Sequence, residues 1–121
     1  MYRALQRKAI ESLYVGLCTV IEFRSVEDPI THVTTDKEVT VLDNLPCKIS
    51  FERVTSTNQT SAAAVVTQST KLFIAPEVTI KPGSKIVITQ RGRTETYTGS
   101  GKPAYFSSHQ EIQLELFEGW A

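Results

Sequence analysis

Two hydrophobic periodicities divide the chain, a helical one at its start and a two-residue one in the rest. Leu5, Ala9 and Leu13 recur every four residues among basic and polar side chains, which is typical of an amphipathic helix. The pattern predicts a helix over residues 1–14, and Gly16 is expected to end it. After Gly16, β-branched and alternating stretches replace the helical spacing and predict strands.

The predicted strands are short, and turn residues separate them. They cover residues 17–24, 38–42, 47–52, 71–74, 85–89, 93–97 and 111–116. Residues 81–84 read Lys-Pro-Gly-Ser, the order of a type II turn, and Gln90-Arg91-Gly92 is expected to join a hairpin. Residues 99–103 are expected to form another loop. In the last strand, Ile112, Leu114 and Leu116 are predicted to point inward.

This arrangement predicts an all-β fold, a small β-barrel or sandwich of six to seven short antiparallel strands with an N-terminal helix. With 121 residues, the chain is long enough for one domain and too short for two ordinary ones. We therefore expect a single domain over residues 1–121, in which residues 17–54 and 70–117 form the barrel.

The segment from residue 55 to residue 70 breaks the alternation. It is rich in Thr, Ser, Gln and Ala and carries no charged residue. Such a stretch buries too little surface to offset roughly 1–2 kcal/mol of ordering entropy per residue. We therefore predict a long projecting loop that is flexible in the isolated subunit. A loop that gripped phosphates would carry Lys or Arg, so this one is not expected to bind DNA through charge.

Composition excludes some function classes. Thirteen basic and thirteen acidic residues give a formal net charge of zero, whereas a dedicated duplex-DNA binder carries a basic excess. Residues 1–10 lack the apolar core of a secretory signal, and no window approaches the ~20 apolar residues of a membrane span. We expect a product of the cytoplasm with no membrane association.

Residues with catalytic or metal-binding chemistry are few and scattered. Cys18 and Cys47 form no CxxC or Cys/His cluster, so buried thiols are expected, and a disulfide between them stays open. His32 and His109 have no Ser or Cys at motif spacing. Gly99-Ser100-Gly101-Lys102 is not a phosphate-binding loop, because Pro103 forbids the helix that would follow. The sequence predicts no catalytic residue, cofactor or metal, and no enzyme.

Large aromatic residues gather near the end of the chain. Phe117 and Trp120 either pack back on the barrel or act as anchors of an interface, since Trp and Tyr dominate interface energetics. Both interpretations stay open at this point. The candidate interface residues are Tyr2, Leu5, Tyr105, Phe106, Phe117 and Trp120.

Several short motifs, taken in order, resemble those of small neck proteins of siphophages and of prophages of Gram-positive bacteria. They are Ile80-Lys81-Pro82-Gly83-Ser84-Lys85-Ile86, Gly92, Tyr97, Pro103-Ala104-Tyr105 and residues 108–112, together with residues 9–14, 18–20 and 57–60. The likeness spans nearly the whole chain and depends on the order and spacing of motifs that are weak singly. This family contains head–tail connector, head-closure (stopper) and minor capsid proteins.

The resemblance implies a structural virion protein of the neck, made in the host bacterial cytoplasm. Such a subunit forms a ring between portal and tail, with the portal's twelve-fold symmetry. It joins head to tail and helps to close the DNA channel. Its partners are then other copies of itself, portal or adaptor proteins, tail proteins and passing genomic DNA, which it does not bind by sequence. The implied channel loop contains Thr57, Asn58, Gln59, Thr60, Ala63 and Val65.

Two alternatives remain. A tail-side completion or terminator protein is also a small β ring. A small barrel that binds single-stranded nucleic acid or oligosaccharide would use a basic groove with exposed aromatic side chains. The residues for such a groove would be Arg91, Arg93, Lys102, Tyr97 and Tyr105, and the zero net charge argues against it.

Overall fold

A computed structural model describes residues 2–57 and 64–120, with the backbone alone at residues 2–4, 53–57 and 64–68. One helix precedes six strands: α1 (Tyr2–Glu11), β1 (Gly16–Glu27), β2 (Thr34–Thr57), β3 (Ala64–Ile74), β4 (Lys85–Gln90), β5 (Arg93–Tyr105) and β6 (Gln110–Leu116). The strands close into an antiparallel barrel in the order β1-β2-β3-β6-β5-β4. The predicted fold class is confirmed.

The core fills the barrel with side chains from alternate positions of every strand. These are Cys18, Val20, Cys47, Ile49, Leu72, Ile74, Ile86, Ile88, Tyr97, Ile112 and Leu114. The segment after β3 covers this core with Val78 and Ile80. There the fully buried amide of Gln110 donates hydrogen bonds to the carbonyl oxygens of Ala75 and Val78, over 2.8 and 2.5 Å. The amide thereby satisfies backbone groups that the loop buries.

Two predicted turns are confirmed by their backbone geometry. Gly83 has φ +82°, and the Ser84 amide donates to the Lys81 carbonyl over 3.2 Å, as a type II turn requires. Arg91 and Gly92 both have positive φ and join β4 to β5 as a two-residue hairpin. Such a turn matches the twist of the strands it connects.

The helix is shorter than predicted. It ends at Glu11, and Gly16 is the first residue of β1 rather than a helix terminator. The glycine is required by close packing, because a Cβ there would lie 3.2 Å from Gln90 Oε1 and 3.3 Å from Cys47 Sγ.

The two strands predicted over residues 38–42 and 47–52 are one strand of 24 residues. Asp43 and Asn44 do not end it, because both lie opposite Thr19 in a β-bulge where Asn44 takes φ +49°. The Thr19 hydroxyl donates to Asp43 Oδ1 over 3.1 Å and accepts from the Asn44 amide over 3.3 Å. At ~3.3 Å per residue the strand follows a path of roughly 80 Å.

The predicted loop over residues 99–103 is also part of a strand. β5 advances from Ser100 to Ala104 while its partner β6 advances only from Gln113 to Glu111. Gly101, with φ +74°, lies inside this irregularity. The turn residues therefore produce a bulge within β5 and do not separate two strands.

The prediction that residues 55–70 form a loop is wrong for the part that the structure describes. Thr55, Ser56 and Thr57 belong to β2, and they pair with Val66, Val65 and Ala64 of β3. Residues 58–63 lie outside the described residues. Thr and Val favour extended backbone, and cross-strand hydrogen bonds stabilise such a pair without burial of large side chains.

Two hairpins extend beyond the barrel. β6 pairs with β3 only from Thr70 to Ile74, so residues 51–57 and 64–69 form a two-stranded extension, here called the β2–β3 ribbon. β4 pairs with β1 only from Gly16 to Ile21, so residues 22–27 and 34–39 form the β1–β2 ribbon. Both ribbons belong in part to β2, one at each end of this strand.

Candidate functional site

The barrel is open at the end from which the β2–β3 ribbon leaves. A cavity of about 1400 Å³ lies there, and its apolar wall includes Ile49, Ile88, Tyr97 and Leu114. We call this cavity the barrel opening. Leu116, predicted to point inward, lines the opening but is 63 % exposed, because β6 ends at this level and no further strand covers the side chain.

At the edge of the opening, the side chain of Gln90 forms hydrogen bonds with the backbone of β2. Gln90 Oε1 accepts a hydrogen bond from the Ile49 amide over 2.9 Å, and Gln90 Nε2 donates to the Ile49 carbonyl over 3.4 Å. The carboxamide thus pairs with β2 as a peptide group would, just beyond the point where β1 begins at Gly16. This contact explains why Gly16 has no room for a side chain.

The lining of the opening combines large apolar side chains with a few charged ones. Phe51 and Leu116 are large exposed apolar side chains beside it, and the charged residues of its lining are Arg93, Glu95, Glu115 and Glu118. Burial raises the pKa of Tyr97, so its phenol stays protonated at neutral pH. The arrangement suits the packing of an apolar segment of another molecule.

The apolar stripe of α1 exists, but it does not face the barrel. Leu5 and Ala9 are both exposed, with Leu5 at 66 %, and Leu13, also exposed, lies after the helix has ended at Glu11. The helix meets the barrel through a salt bridge from Arg7 to Glu77, and Arg7 also pairs with Glu11. The bond to Arg7 holds the pKa of Glu77 below its ordinary value.

The aromatic residues before β6 form a second exposed surface. Tyr105 is 62 % exposed and Phe106 is 49 % exposed. Phe106 stacks on the ring of His109 with centroids 4.8 Å apart, and Phe73 lies 5.7 Å from the same ring. The two predicted interface residues here are therefore available at the surface.

The sequence interpretation missed an arrangement at His109. Ser108 Oγ lies 2.9 Å from His109 Nδ1, and Glu111 Oε2 lies 2.9 Å from His109 Nε2. The bond to His109 lowers the pKa of Glu111, and Lys71, 3.4 Å away, lowers it further. The order Ser-His-x-Glu on an extended segment was the available signal. Because Ser108 is only 8 % exposed, the three groups fix the ring under Phe106 rather than present a nucleophile.

The chain after β6 lies along the edge of the barrel opening and reaches the β1–β2 ribbon. The amide of Phe117 donates to the Thr96 carbonyl over 3.1 Å. Trp120 stacks on Phe23 at 5.1 Å and meets the edge of Phe117 at 5.0 Å. We call residues 117–120 the C-terminal strap. Both residues thus pack on their own chain, with Trp120 on Phe23 of the β1–β2 ribbon, and their role as anchors of an interface stays a prediction.

The other predicted residues are placed as follows. Thr57 ends β2, Val65 pairs with Ser56, and Tyr2 is the first residue of α1. Asn58, Gln59, Thr60 and Ala63 lie outside the described residues. Cys18 and Cys47 are buried free thiols, and the hydrogen bond to Cys47, together with burial, raises the pKa of Cys18.

The proposed nucleic-acid groove loses one of its aromatic residues. Tyr97 is only 5 % exposed and belongs to the core, so it is not available for base stacking. Arg91, Arg93 and Lys102 are exposed. Within residues 2–57 and 64–120, no group of three or more His, Cys, Asp or Glu could hold a metal ion. In the same part of the chain, no helix has the length and apolar character to cross a membrane.

Comparison with known proteins gives a fold likeness. No family model matches the chain, and no curated protein matches it. A solved structure that it resembles is XkdH, a protein of the phage-like element PBSX of Bacillus subtilis. The two chains are 14 % identical, and the match has a TM-score of 0.51 and covers 84 % of this chain and 93 % of XkdH. This chain therefore has the fold seen in XkdH along nearly its whole length.

Proposed function

We propose that this protein is a structural component of a phage or phage-like particle, a head–tail connector of the neck that forms a ring and catalyses no reaction. The fold shared with XkdH carries this proposal, because that protein belongs to a phage-like element and the match covers most of both chains. The motif order seen in the sequence supports the same class. The proposed partners are further copies of the chain, a portal or adaptor protein and tail proteins.

The β2–β3 ribbon supports a role in closing a channel. It leaves the barrel beyond the last residue that β6 pairs, so no strand of the described residues pairs with its β3 edge from Ala64 to Gln68. Exposed strand edges are templates for pairing with other strands. In a ring, many ribbons pointing to the axis would meet, and their edges would be satisfied by one another.

The lack of charge in the ribbon indicates how it would close a channel. Residues 55–70 carry no Lys, Arg, Asp or Glu, so the outer part of the ribbon and the sequence that connects its two strands neither attract nor repel phosphates. We propose that the ribbons retain DNA by steric closure. Genomic DNA then passes the ring without sequence-specific binding once the ribbons move apart.

A shortened β2–β3 ribbon tests this proposal. Deletion of residues 57–66, with Thr55-Ser56 replaced by Asn-Gly, would leave a two-residue hairpin between the paired Val54 and Thr67. The subunit is expected to keep its melting temperature, since the barrel pairing begins at Thr70. Particles carrying the variant are expected to lose packaged DNA, measured by electron microscopy and by nuclease-resistant DNA per head.

A length-preserving variant is the matched control. Asn58→Ser combined with Gln59→Ser changes two residues of the same segment but leaves its length and its lack of charge unchanged. Steric closure predicts that particles with this variant retain DNA normally. Full heads with the shortened ribbon would contradict the proposal. In particles that lack the protein altogether, empty heads support head closure, whereas full heads beside unfinished tails would assign the ring to the tail side.

A further inference from the structure

The barrel opening and α1 are two apolar surfaces that the single chain leaves uncovered. Leu5 and Ala9 lie one turn apart on α1 and are both exposed, and Tyr2 shares this face by its position in the helix. The helix does not cover the opening of its own barrel, because Arg7 holds it at Glu77. The Leu5 and Ala9 face is therefore accessible to another molecule.

Exposed apolar side chains continue beyond the cavity. Next to the opening lies a shallower groove to which Leu13, Val15 and Phe51 contribute. These three side chains and Leu116 are each more than half exposed, at 55 %, 53 %, 56 % and 63 %. One end of the barrel thus presents several exposed apolar side chains, interspersed with polar ones, beside a cavity of about 1400 Å³.

The charges of the two surfaces are opposite. Helix α1 carries Arg3, Arg7 and Lys8 against Glu11. The lining of the opening, which is the surface that would receive the helix, carries Glu95, Glu115 and Glu118 against Arg93. The basic residues Lys48 and Arg91 lie in the neighbouring groove and not in this lining. The helix is therefore net positive and the opening net negative, each by two charges. Complementary charge of this kind orients two surfaces and raises the rate of their encounter.

We propose that α1 of one copy packs its Leu5 and Ala9 face into the barrel opening of a second copy. The contact joins two different surfaces, so each copy both gives a helix and receives one, and repetition produces a closed ring or an open chain. This inference deepens the proposed ring and rests on it, since it names the surfaces through which neighbouring subunits meet.

Cysteine cross-linking between two variants tests the contact. The native Cys18 and Cys47 are fully buried, so introduced surface cysteines dominate the reaction with a mild oxidant such as copper-phenanthroline and dissolved oxygen. Leu5→Cys protein mixed with Leu116→Cys protein is expected to give a disulfide-linked heterodimer. The control pairs Leu5→Cys with Val33→Cys, which is 56 % exposed on the β1–β2 hairpin. Equal yields from both mixtures would overturn the proposal.

Sedimentation equilibrium gives the second measurement. Leu5→Glu and Leu116→Glu are each expected to weaken self-association by about tenfold or more, because each removes an apolar contact and buries a charge. Lys8→Glu and Glu115→Lys are each expected to weaken it less, and their combination in one protein to restore it. Circular dichroism checks that every variant is folded. A native protein that stays monomeric at millimolar concentration would refute the contact.

The channel closure by the ribbons and the helix contact can be refuted independently. If the helix contact forms in solution but the shortened ribbon still retains DNA, the channel closure is wrong and the contact stands. If the shortened ribbon releases DNA while Leu5→Glu leaves association unchanged and Leu5→Cys links to Leu116→Cys no better than to Val33→Cys, the helix contact is wrong and the closure stands.

Discussion

The indole Nε1 of Trp120 donates a hydrogen bond to Glu38 Oε2 over 3.2 Å, joining the last described residue to the middle of the chain. Glu38 Oε2 also accepts from Lys85 Nζ over 2.9 Å, and the ammonium group lies 5.5 Å from the centroid of the Phe117 ring. The Glu38 carboxylate therefore accepts hydrogen bonds from both Trp120 and Lys85, and through Trp120 it fixes the end of the C-terminal strap. Because Glu38 and Lys85 belong to β2 and β4, the strap spans strands on both sides of β1.

Removing the indole is expected to destabilise the subunit. Trp120→Ala loses the stacking on Phe23 and the hydrogen bond to Glu38, and we expect the free energy of unfolding to fall by about 1–3 kcal/mol. Urea denaturation followed by circular dichroism measures the change. Glu118→Ala, at an exposed position of the same strap, is the control and is expected to change little. Equal stability of Trp120→Ala and the native protein would show that the strap is not part of the folded unit.

The strap also predicts a dependence of stability on pH. The hydrogen bonds from Lys85 and from Trp120 lower the pKa of Glu38 in the folded chain. A carboxyl group with a depressed pKa stabilises the fold above its unfolded-state pKa, and this stabilisation is lost as the pH falls through the folded-state pKa. Native protein should therefore lose more stability than Glu38→Gln as the pH falls below about 4.5, the ordinary value for a glutamate.

Tryptophan fluorescence measures this effect directly, because Trp120 is the single tryptophan of the chain. Urea midpoints at neutral pH and at several acidic values give the two stability curves. Parallel curves for the native protein and Glu38→Gln would contradict the prediction. Glu77 and Glu111 also have lowered pKa values, so some acid sensitivity is expected to remain in the variant.

Alternation along β6 was sufficient to predict two of its three apolar positions. Ile112 and Leu114 are buried, at 4 % and 5 % exposed, as the two-residue period predicts. Leu116 continues the period but lies at the barrel opening. The period defines a face of the strand, whereas the depth of a residue depends on where the neighbouring strands end. Where the neighbouring strands end depends on the tilt of the strands in the barrel, and the sequence of β6 alone does not show it.

The same pair of residues provides a test of the assignment. Leu114→Asp is expected to unfold the subunit, since an unpaired charge in the core costs more than about 4 kcal/mol. Leu116→Asp places the same charge two residues further along, where the side chain is 63 % exposed, and is expected to leave a folded protein. The measurement is the melting transition by circular dichroism. Two similar melting temperatures would show that β6 does not have this register.

The long strand β2 was harder to predict than the core. Asp43-Asn44 and Pro46 are ordinary strand-ending signals, yet β2 continues through them. The reason lies in Thr19, a residue 24 positions earlier, whose hydroxyl bonds to Asp43. A local sequence signal cannot reveal a partner so distant. The polar residues of the β2–β3 ribbon were also misread, because backbone pairing between β2 and β3 holds that segment extended.

The likeness to phage neck proteins came from motif order, and two of those motifs have clear structural causes. Lys81-Pro82-Gly83-Ser84 forms the type II turn before β4, and Gly92 forms the hairpin after it. Both positions have positive φ at glycine, so they are constrained by the backbone of this barrel. The opening and the uncovered helix face depend on side-chain exposure, which no motif encodes.

Gly16 provides the last prediction, because it separates Gln90 from Cys47 at the edge of the barrel opening. Gly16→Ala would bring a methyl group to 3.2 Å from Gln90 Oε1 and 3.3 Å from the Cys47 carbonyl oxygen. Relief requires Gln90 to leave the Ile49 backbone, so we expect a loss of about 1–3 kcal/mol.

The matched control is Gly99→Ala, where the added methyl group meets Ile112 Cγ2 at an ordinary 3.5 Å. Neither glycine has positive φ, so backbone strain does not distinguish the two variants. Gly99→Ala is therefore expected to be neutral or to stabilise the chain slightly by restricting its unfolded state. Urea denaturation compares the two proteins, and hydrogen exchange at the Ile49 amide reports whether the Gln90 contact is lost. If Gly16→Ala is as stable as Gly99→Ala and the Ile49 amide stays protected, Gln90 does not hold this edge of the barrel.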